Sequence, residues 1–224
     1  MAARSVPIRF SLFAALLSTL GSAAGAQLAD RPLFVEALVP KPPTVATGST
    51  GAFLVYEVQV TSLEAKALRW TKLDVLNGSA EGAVLQSLAD SALWRDMIRP
   101  AQGTVAFLDR ANLNGSQRAV LFVRVPVPEG TRVTSLVHRL TLTDSAGART
   151  LMTRPTPVAQ EAIVIGPPLR GTNWFAANGP GNTSGHRRTH IPIEGQPRIA
   201  QRFAIDLVQM DSAFSTSVVP RASW

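Results

Sequence analysis

The 224-residue sequence contains no cysteine. Disulfide bonds, cysteine nucleophiles and thiolate metal sites are therefore excluded. A stable fold must depend on a packed apolar core, and a metal site would need histidine and carboxylate ligands. Charged residues are also few, at 17%, whereas apolar residues make up 46%. This composition is typical of a chain that folds rather than of a disordered one.

Aromatic residues are scarce as well, at 6%, although the net charge is +7. The basic residues are scattered along the chain and do not cluster with aromatic side chains. A nucleic-acid interface combines a basic groove with stacking aromatics, so this distribution argues against one. The modest positive charge favours an anionic envelope surface, such as cell-wall polymer or lipid headgroups. The oligomeric state stays open.

The first 26 residues have the features of a cleavable signal peptide. Arg4 and Arg9 precede an apolar run over residues 10–20. Residues 24–26 form a small-x-small cleavage pattern. The run is short for a transmembrane anchor, and an uncleaved anchor is the alternative. We predict that the mature chain begins near Gln27 and is exported to the periplasm or the extracellular space.

The residues that follow alternate between apolar and polar side chains. One face of residues 51–61 carries Leu54, Tyr56, Val58 and Val60. Glu57 and Gln59 lie on the other face, which predicts a half-buried antiparallel strand. Similar runs, separated by turn signals, cover residues 33–39, 68–76, 104–108, 119–127 and 136–143. We predict a mainly β fold with an N-terminal antiparallel β-sandwich over residues 27–162, and a short helix or loop over residues 83–98.

Residues 163–224 have too few apolar positions for a core of their own, so we predict the incomplete start of a second, β-rich domain. A turn-type cluster over residues 193–197 predicts a β-hairpin centred near residues 195 and 196. Antiparallel pairing about that turn would place His186 opposite Asp206, and His190 opposite Arg202, on one face.

The other face of that hairpin would carry Phe203, Ile205 and Leu207 against a core. We expect residues 211–224 to be poorly ordered because their sheet partners are missing.

An imidazole and a carboxylate on one sheet face are half of a zinc site, and the plain alternative is a cross-strand hydrogen bond on a solvated sheet. Ser184 could complete a Ser–His–Asp triad, but it lacks the strand–turn–helix elbow and the oxyanion arrangement of such sites. His138 shares a strand face with Leu136 and Leu140, which predicts a core histidine with satisfied hydrogen bonds.

Several segments resemble one protein family in chain order. They are Leu54-Val55-Tyr56-Glu57, Val137-His138-Arg139-Leu140, Gly166-Pro167-Pro168-Leu169-Arg170-Gly171, Trp174, Ala176-Ala177-Asn178-Gly179-Pro180, Asn182-Thr183-Ser184-Gly185-His186-Arg187-Arg188 and Arg202-Phe203-Ala204-Ile205-Asp206. The chain is similar to exported bacterial zinc metallopeptidases of the lysostaphin (LytM-like) type, which cut peptidoglycan cross-links. This resemblance implies a β-sandwich before a small catalytic domain. Its zinc would be held by a His, an Asp and the second His of a later H-x-H motif.

Carried over to this sequence, the resemblance implies that Asp206 is a zinc ligand, with His186 as the candidate ligand histidine and His190 as a further candidate. The family at large has H-x-x-x-D, where this chain has Arg202, and no H-x-H follows Asp206. No catalytic residue is assigned.

We therefore expect residues 163–224 to be a partial zinc-peptidase domain in a truncated or frame-shifted chain. We expect the chain to be metallopeptidase-like, directed at peptidoglycan and inactive alone because half of the metal site is missing. Two alternatives remain: a non-catalytic extracytoplasmic binding module for cell wall or a partner protein, and an exported lipid-surface protein.

Overall fold

The computed structural model describes residues 32–210 except residues 101, 103 and 104. The predicted signal peptide, the predicted mature start at Gln27 and the expected disorder of residues 211–224 all lie outside the described residues. The fold is mainly β, with 49% strand, 7% helix and several antiparallel sheets, which confirms the predicted class. Within the described part of the chain, no helix has the length and apolar character needed to cross a membrane.

The strands and helices follow one another along the chain in a simple order. They are β1 (Val35–Leu38), β2 (Val45–Gly48), β3 (Gly51–Ser62), β4 (Leu68–Asn77), β5 (Val84–Ala89), α1 (Asp90–Arg95), β6 (Met97–Ile98), a 3₁₀ turn (Phe107–Asp109), β7 (Asn112–Leu113), β8 (Arg118–Val127), β9 (Ser135–Asp144), β10 (Gly147–Met152), β11 (Thr156–Pro157), β12 (Trp174–Asn178), α2 (Gly185–Arg188), β13 (Ile191–Ile193), β14 (Gln196–Arg198) and β15 (Asp206–Gln209).

Two antiparallel sheets form a sandwich. In the first sheet β3 pairs with β8 on one side and with β1 and β2 on the other, and β6 pairs with β8. The second sheet has the order β10-β9-β4-β5, with β7 on β4 and β11 on β9. Side chains of both sheets fill one core, among them Leu54, Tyr56, Val58, Val60, Trp70, Leu73, Val75, Leu140 and Leu142. The apolar face predicted for β3 is therefore the inner face.

Two segments of the sandwich differ from the prediction. Residues 83–98 form β5, α1 and β6 rather than one helix, because β5 pairs with β4 before the chain turns at Asp90, whose φ is 46°. The helical part still packs inward, and the Trp94 indole donates to the carbonyl of Trp70 at 3.0 Å. The strand predicted over residues 104–108 is wrong where the structure describes it. Phe107 begins a 3₁₀ turn, and Leu108 is exposed.

The C-terminal segment contains two small two-stranded sheets, β12 with β15 and β13 with β14. A hairpin turn falls where the sequence indicates one. Glu194 and Gly195, both at positive φ, connect β13 to β14, which is the backbone of a type I′ turn. The predicted long arms are wrong, because Pro192 and Pro197 face each other in this hairpin and neither can donate a ladder hydrogen bond.

This segment lies on the outer face of the first sheet. Glu57 and Gln59, expected on an open face, are 0% and 5% exposed. A second, small apolar cluster joins Val120 and Phe122 of β8 to Ile199. The outer face of β3 and β8 is thus an interface between the sandwich and the C-terminal segment.

The core face expected for Phe203, Ile205 and Leu207 is wrong for Phe203 and Ile205, whereas Leu207 is half-buried in β15. Phe203 and Ile205 are 55% and 54% exposed. Residues 200–203 form a turn and not a strand, so they lack the alternation that would direct apolar side chains inward. Ile199 is the apolar side chain that this part of the chain buries.

Candidate metal centre

The structure brings His186 and Asp206 together, although not on the two arms of one hairpin. His186 lies in α2, and Asp206 begins β15. Nε2 of the imidazole is 3.1 Å from Oδ2 of the carboxylate. The other ring nitrogen, Nδ1, is 3.2 Å from the carbonyl oxygen of Ala204. The imidazole is mostly buried, whereas the Asp206 side chain is 53% exposed and open to solvent.

These two contacts restrict the protonation of the His186 ring. A carbonyl oxygen can only accept a hydrogen bond, so Nδ1 must carry a hydrogen. In the neutral ring Nε2 then presents a lone pair to a carboxylate oxygen, and two acceptors at 3.1 Å repel each other. A cation shared by Nε2 and Oδ2 would remove this conflict, and an imidazole nitrogen and a carboxylate oxygen are both possible metal ligands.

The local sequence explains why a helical turn presents His186. The Ser184 hydroxyl accepts the backbone N–H of His186 at 3.1 Å, which caps α2 at its N-terminus. The same hydroxyl donates to Oδ1 of Asn178 at 3.0 Å, and Asn178 is paired with Asp206 in the sheet. Ser184 thus connects the helix that carries His186 to the strand beside Asp206. Nδ1 of His186 faces the Ala204 carbonyl and not the Ser184 hydroxyl, so Ser184, His186 and Asp206 do not form a Ser–His–Asp triad.

His190 does not join the pair. Among the described residues, no group of three or more His, Cys, Asp or Glu side chains could hold a metal ion. The two ring nitrogens of His190 are buried and make no hydrogen bond of good geometry. Burial lowers the pKa of His190; the backbone of Arg188 opposes this shift, and the charges of Arg202 and Arg118 add to it. The expected cross-strand pair of His190 and Arg202 is wrong, because the Arg202 guanidinium binds Glu57.

A buried ionic cluster beside the pair was not predicted. The Glu57 carboxylate lies 3.2 Å from Nη1 of Arg187 and 2.9 Å from Nε of Arg202. Glu57 and Arg187 are completely buried. Burial lowers the pKa of the Arg187 guanidinium, and the adjacent Glu57 charge opposes that shift. The alternation along β3 places Glu57 on the outer face but carries no signal of what covers it.

Other contacts fix the same segment to the sandwich. Arg187 donates to the Tyr56 carbonyl and to Oδ1 of Asn182, both at 3.0 Å. The guanidinium groups of Arg187 and Arg188 lie 5.4 and 5.3 Å from the ring centroid of Phe122. Arg188 also pairs with Asp96 at 2.9 Å. The helical turn that carries His186 is therefore held against the sandwich from several directions.

His138 is a core histidine with satisfied hydrogen bonds, as predicted. Its side chain is fully buried, with Nε2 2.7 Å from the Tyr56 hydroxyl and Nδ1 3.3 Å from Oγ1 of Thr153. Burial lowers the pKa of His138 to about 4 and raises the pKa of Tyr56. The protonated phenol therefore donates to Nε2, and Nδ1 carries the ring hydrogen. His138 is a structural group and not part of the candidate centre.

Comparison with known proteins gives little further information. No protein-family model and no curated protein matches the chain. One similar solved structure is described as the X-ray structure of Northeast Structural Genomics Consortium target SoR45. It has 8% sequence identity and a TM-score of 0.34, and the match covers 62% of this chain and 96% of that one.

Proposed function

We propose that this chain is an exported, peptidoglycan-directed protein that combines a β-sandwich with one half of a zinc site of the lysostaphin metallopeptidase type. The observation that supports the proposal best is the contact between Nε2 of His186 and Oδ2 of Asp206 at 3.1 Å, with Nδ1 of the same ring directed at a backbone carbonyl. A metal-ligating histidine commonly donates its other N–H to a carbonyl in this way.

The donor set fits zinc. Imidazole nitrogen and carboxylate oxygen are both zinc ligands, and two ligands of a tetrahedral ion lie about 3.4 Å apart. The observed nitrogen–oxygen distance is 3.1 Å. His186 would bind through Nε2 and Asp206 through Oδ2. When bound in a complete site, zinc supplies Lewis-acid character and an activated water.

Cation binding, rather than cleavage, is the activity that we propose for this chain. A catalytic zinc site needs three protein ligands and an open position. The sequence has three histidines and no H-x-H motif, and His138 is held inside the sandwich. The role of this chain's residues is to present an imidazole and a carboxylate at the surface of the sandwich. The net charge of +7 falls to +5 when Arg4 and Arg9 leave with the predicted signal peptide, and this remaining positive charge supports association with an anionic polymer such as peptidoglycan.

Titration of the purified protein with zinc tests the proposal. We expect one zinc site in the wild-type chain, and an affinity lower by about tenfold or more in His186→Asn and in Asp206→Asn. The matched control is His190→Asn, which removes the nearby histidine that does not join the pair and should leave the affinity unchanged. Equal zinc affinity in all four proteins would exclude the proposed metal site.

Incubation with purified peptidoglycan separates this function from its alternatives. We expect the wild-type chain to bind the polymer without cutting it. Chelator-sensitive cleavage by this chain would contradict the absence of activity that we propose. Binding that persists in a chain without zinc affinity would support a non-catalytic binding module.

A further inference from the structure

We infer that Glu57, a residue of the sandwich, is the positioning residue that keeps the imidazole of His186 beside the carboxylate of Asp206. The sandwich then supplies part of the site and is more than a neighbouring domain. This inference depends on the proposed function only where metal affinity is the measured quantity, since the placement of His186 can be measured without metal.

Glu57 contacts both segments of the candidate centre. We call them its two arms: the helix that carries His186 and the turn that leads to Asp206. Arg187 directly follows His186 in α2, and its guanidinium lies 3.2 Å from Oε1 of Glu57. Arg202 lies two residues before Ala204, whose carbonyl accepts a hydrogen bond from His186. The Nε of Arg202 lies 3.1 and 2.9 Å from the two carboxylate oxygens of Glu57. One carboxylate therefore binds the helix that carries the imidazole and the turn that leads to the acid.

Burial makes this carboxylate hard to replace. Glu57 and Arg187 have no exposed side-chain surface, and Arg202 has 15%. The two guanidinium groups lie against the same carboxylate, so their positive charges repel each other across it. Without the negative charge of Glu57, two cations would face each other in a poorly hydrated interface, which is strongly unfavourable. At least one arm would then move away.

The Arg202 arm is the one expected to move. Arg187 keeps its bonds to Tyr56 and Asn182 and its contact with the Phe122 ring without Glu57. The hydrogen bonds of the Arg202 side chain are both to Glu57 within the described residues. Loss of Glu57 should therefore leave α2 in place and release the turn with Ala204, so that Nδ1 of His186 loses its carbonyl partner.

The experiment compares Glu57→Gln with a matched control, Asp74→Asn. Asp74 is also a buried carboxylate between two cations, Lys72 and Arg139, each at 3.0 Å, but it belongs to the other sheet. Both variants change one buried carboxylate to an amide. A general loss of stability should therefore appear in both, whereas displacement of the candidate centre should appear in one.

The first measurement is the nitrogen chemical shifts of the histidine rings by NMR in metal-free protein. We expect Glu57→Gln to move the His186 nitrogens towards the values of a solvent-exposed imidazole and to leave those of His138 unchanged. Asp74→Asn should retain the wild-type values of His186. The second measurement is zinc affinity, which we expect to fall by about 10- to 100-fold in Glu57→Gln and not in Asp74→Asn.

A second variant covers the case in which Glu57→Gln does not fold. Arg202→Met removes the guanidinium of one arm. It leaves Glu57 and Arg187 as a buried ion pair without net charge, so the interface between the sandwich and the C-terminal segment should persist. It should produce the same change in the His186 nitrogen shifts as Glu57→Gln.

The outcomes separate the two proposals. Changed His186 shifts in Glu57→Gln or Arg202→Met support the positioning role even if the wild-type chain binds no zinc, a result that would exclude only the zinc site. His186 shifts that stay at wild-type values in the folded variants would overturn the positioning role, whatever the zinc affinity.

Discussion

The buried pair of Tyr56 and His138 predicts a specific loss of stability on acidification. Burial lowers the pKa of His138 from 6.5 to about 4 in the folded chain. The unfolded chain takes up a proton on this residue as the pH falls below 6.5, whereas the folded chain does not until the pH approaches 4. The contribution of His138 is therefore fully present above pH 6.5 and is lost progressively below it.

The magnitude follows from the width of that window. Each pH unit between the two pKa values changes the free energy of unfolding by up to about 1.4 kcal/mol. The window from 6.5 to about 4 thus corresponds to a loss of about 3 kcal/mol. Below the lower pKa this residue makes no further contribution, since both states then carry the proton.

Urea denaturation followed by tryptophan fluorescence measures this effect. The reference is His138→Gln, which retains hydrogen-bonding capacity near Tyr56 and does not titrate. The carboxylates and the other histidines titrate in both proteins, so the difference between the two unfolding free energies isolates His138. We expect the wild-type chain to lose about 3 kcal/mol relative to the variant between about pH 7 and pH 4. A difference that does not change with pH would refute the neutral, buried state of His138.

Three other predictions test the packing and the export of the chain. A Cβ at Gly82 would overlap the carbonyl of Asn77, so Gly82→Ala should destabilise the sandwich by about 2 kcal/mol or more, whereas Gly166→Ala, in open space, should change the unfolding free energy little. Phe122→Ala removes the ring between the sandwich and the two arginines of α2, and we expect it to cost about 3 kcal/mol in urea denaturation and to speed proteolysis of the C-terminal segment. Expression in a secreting host followed by N-terminal sequencing should give a mature chain that begins at Gln27.

Each of these predictions has a result that contradicts it. Equal stability of the two glycine variants would mean that the tight turn after β4 is not formed as described. Unchanged proteolysis of Phe122→Ala would mean that the C-terminal segment does not depend on the outer face of the first sheet. An intact N-terminus on the exported protein would favour the uncleaved anchor.

The sandwich could be predicted because its signals are local. Apolar and polar side chains alternate along β3, and turn residues separate the strands. The alternation and the turn residues together indicate antiparallel sheets. The core position of His138 followed from its neighbours Leu136 and Leu140 in the same way. The strand predicted near Leu108 failed because a short apolar run does not specify a pairing partner.

The candidate centre was only partly accessible from the sequence. A hairpin register suggested that His186 and Asp206 meet, but the capped turn of α2 and the pairing of β15 with β12 bring them together by another route. The single turn of α2 is too short to show the helical spacing of apolar side chains, so the sequence pattern could not predict this helix. The contact of Glu57 with Arg187 joins residues far apart in sequence, and alternation along β3 gives no information about it.

The most direct test of the zinc site is anomalous diffraction from crystals of the full chain soaked with zinc. We predict an anomalous peak bonded to both Nε2 of His186 and Oδ2 of Asp206, while Nδ1 stays hydrogen-bonded to the Ala204 carbonyl. A zinc peak elsewhere, with His186 and Asp206 joined only by a direct hydrogen bond, would contradict it.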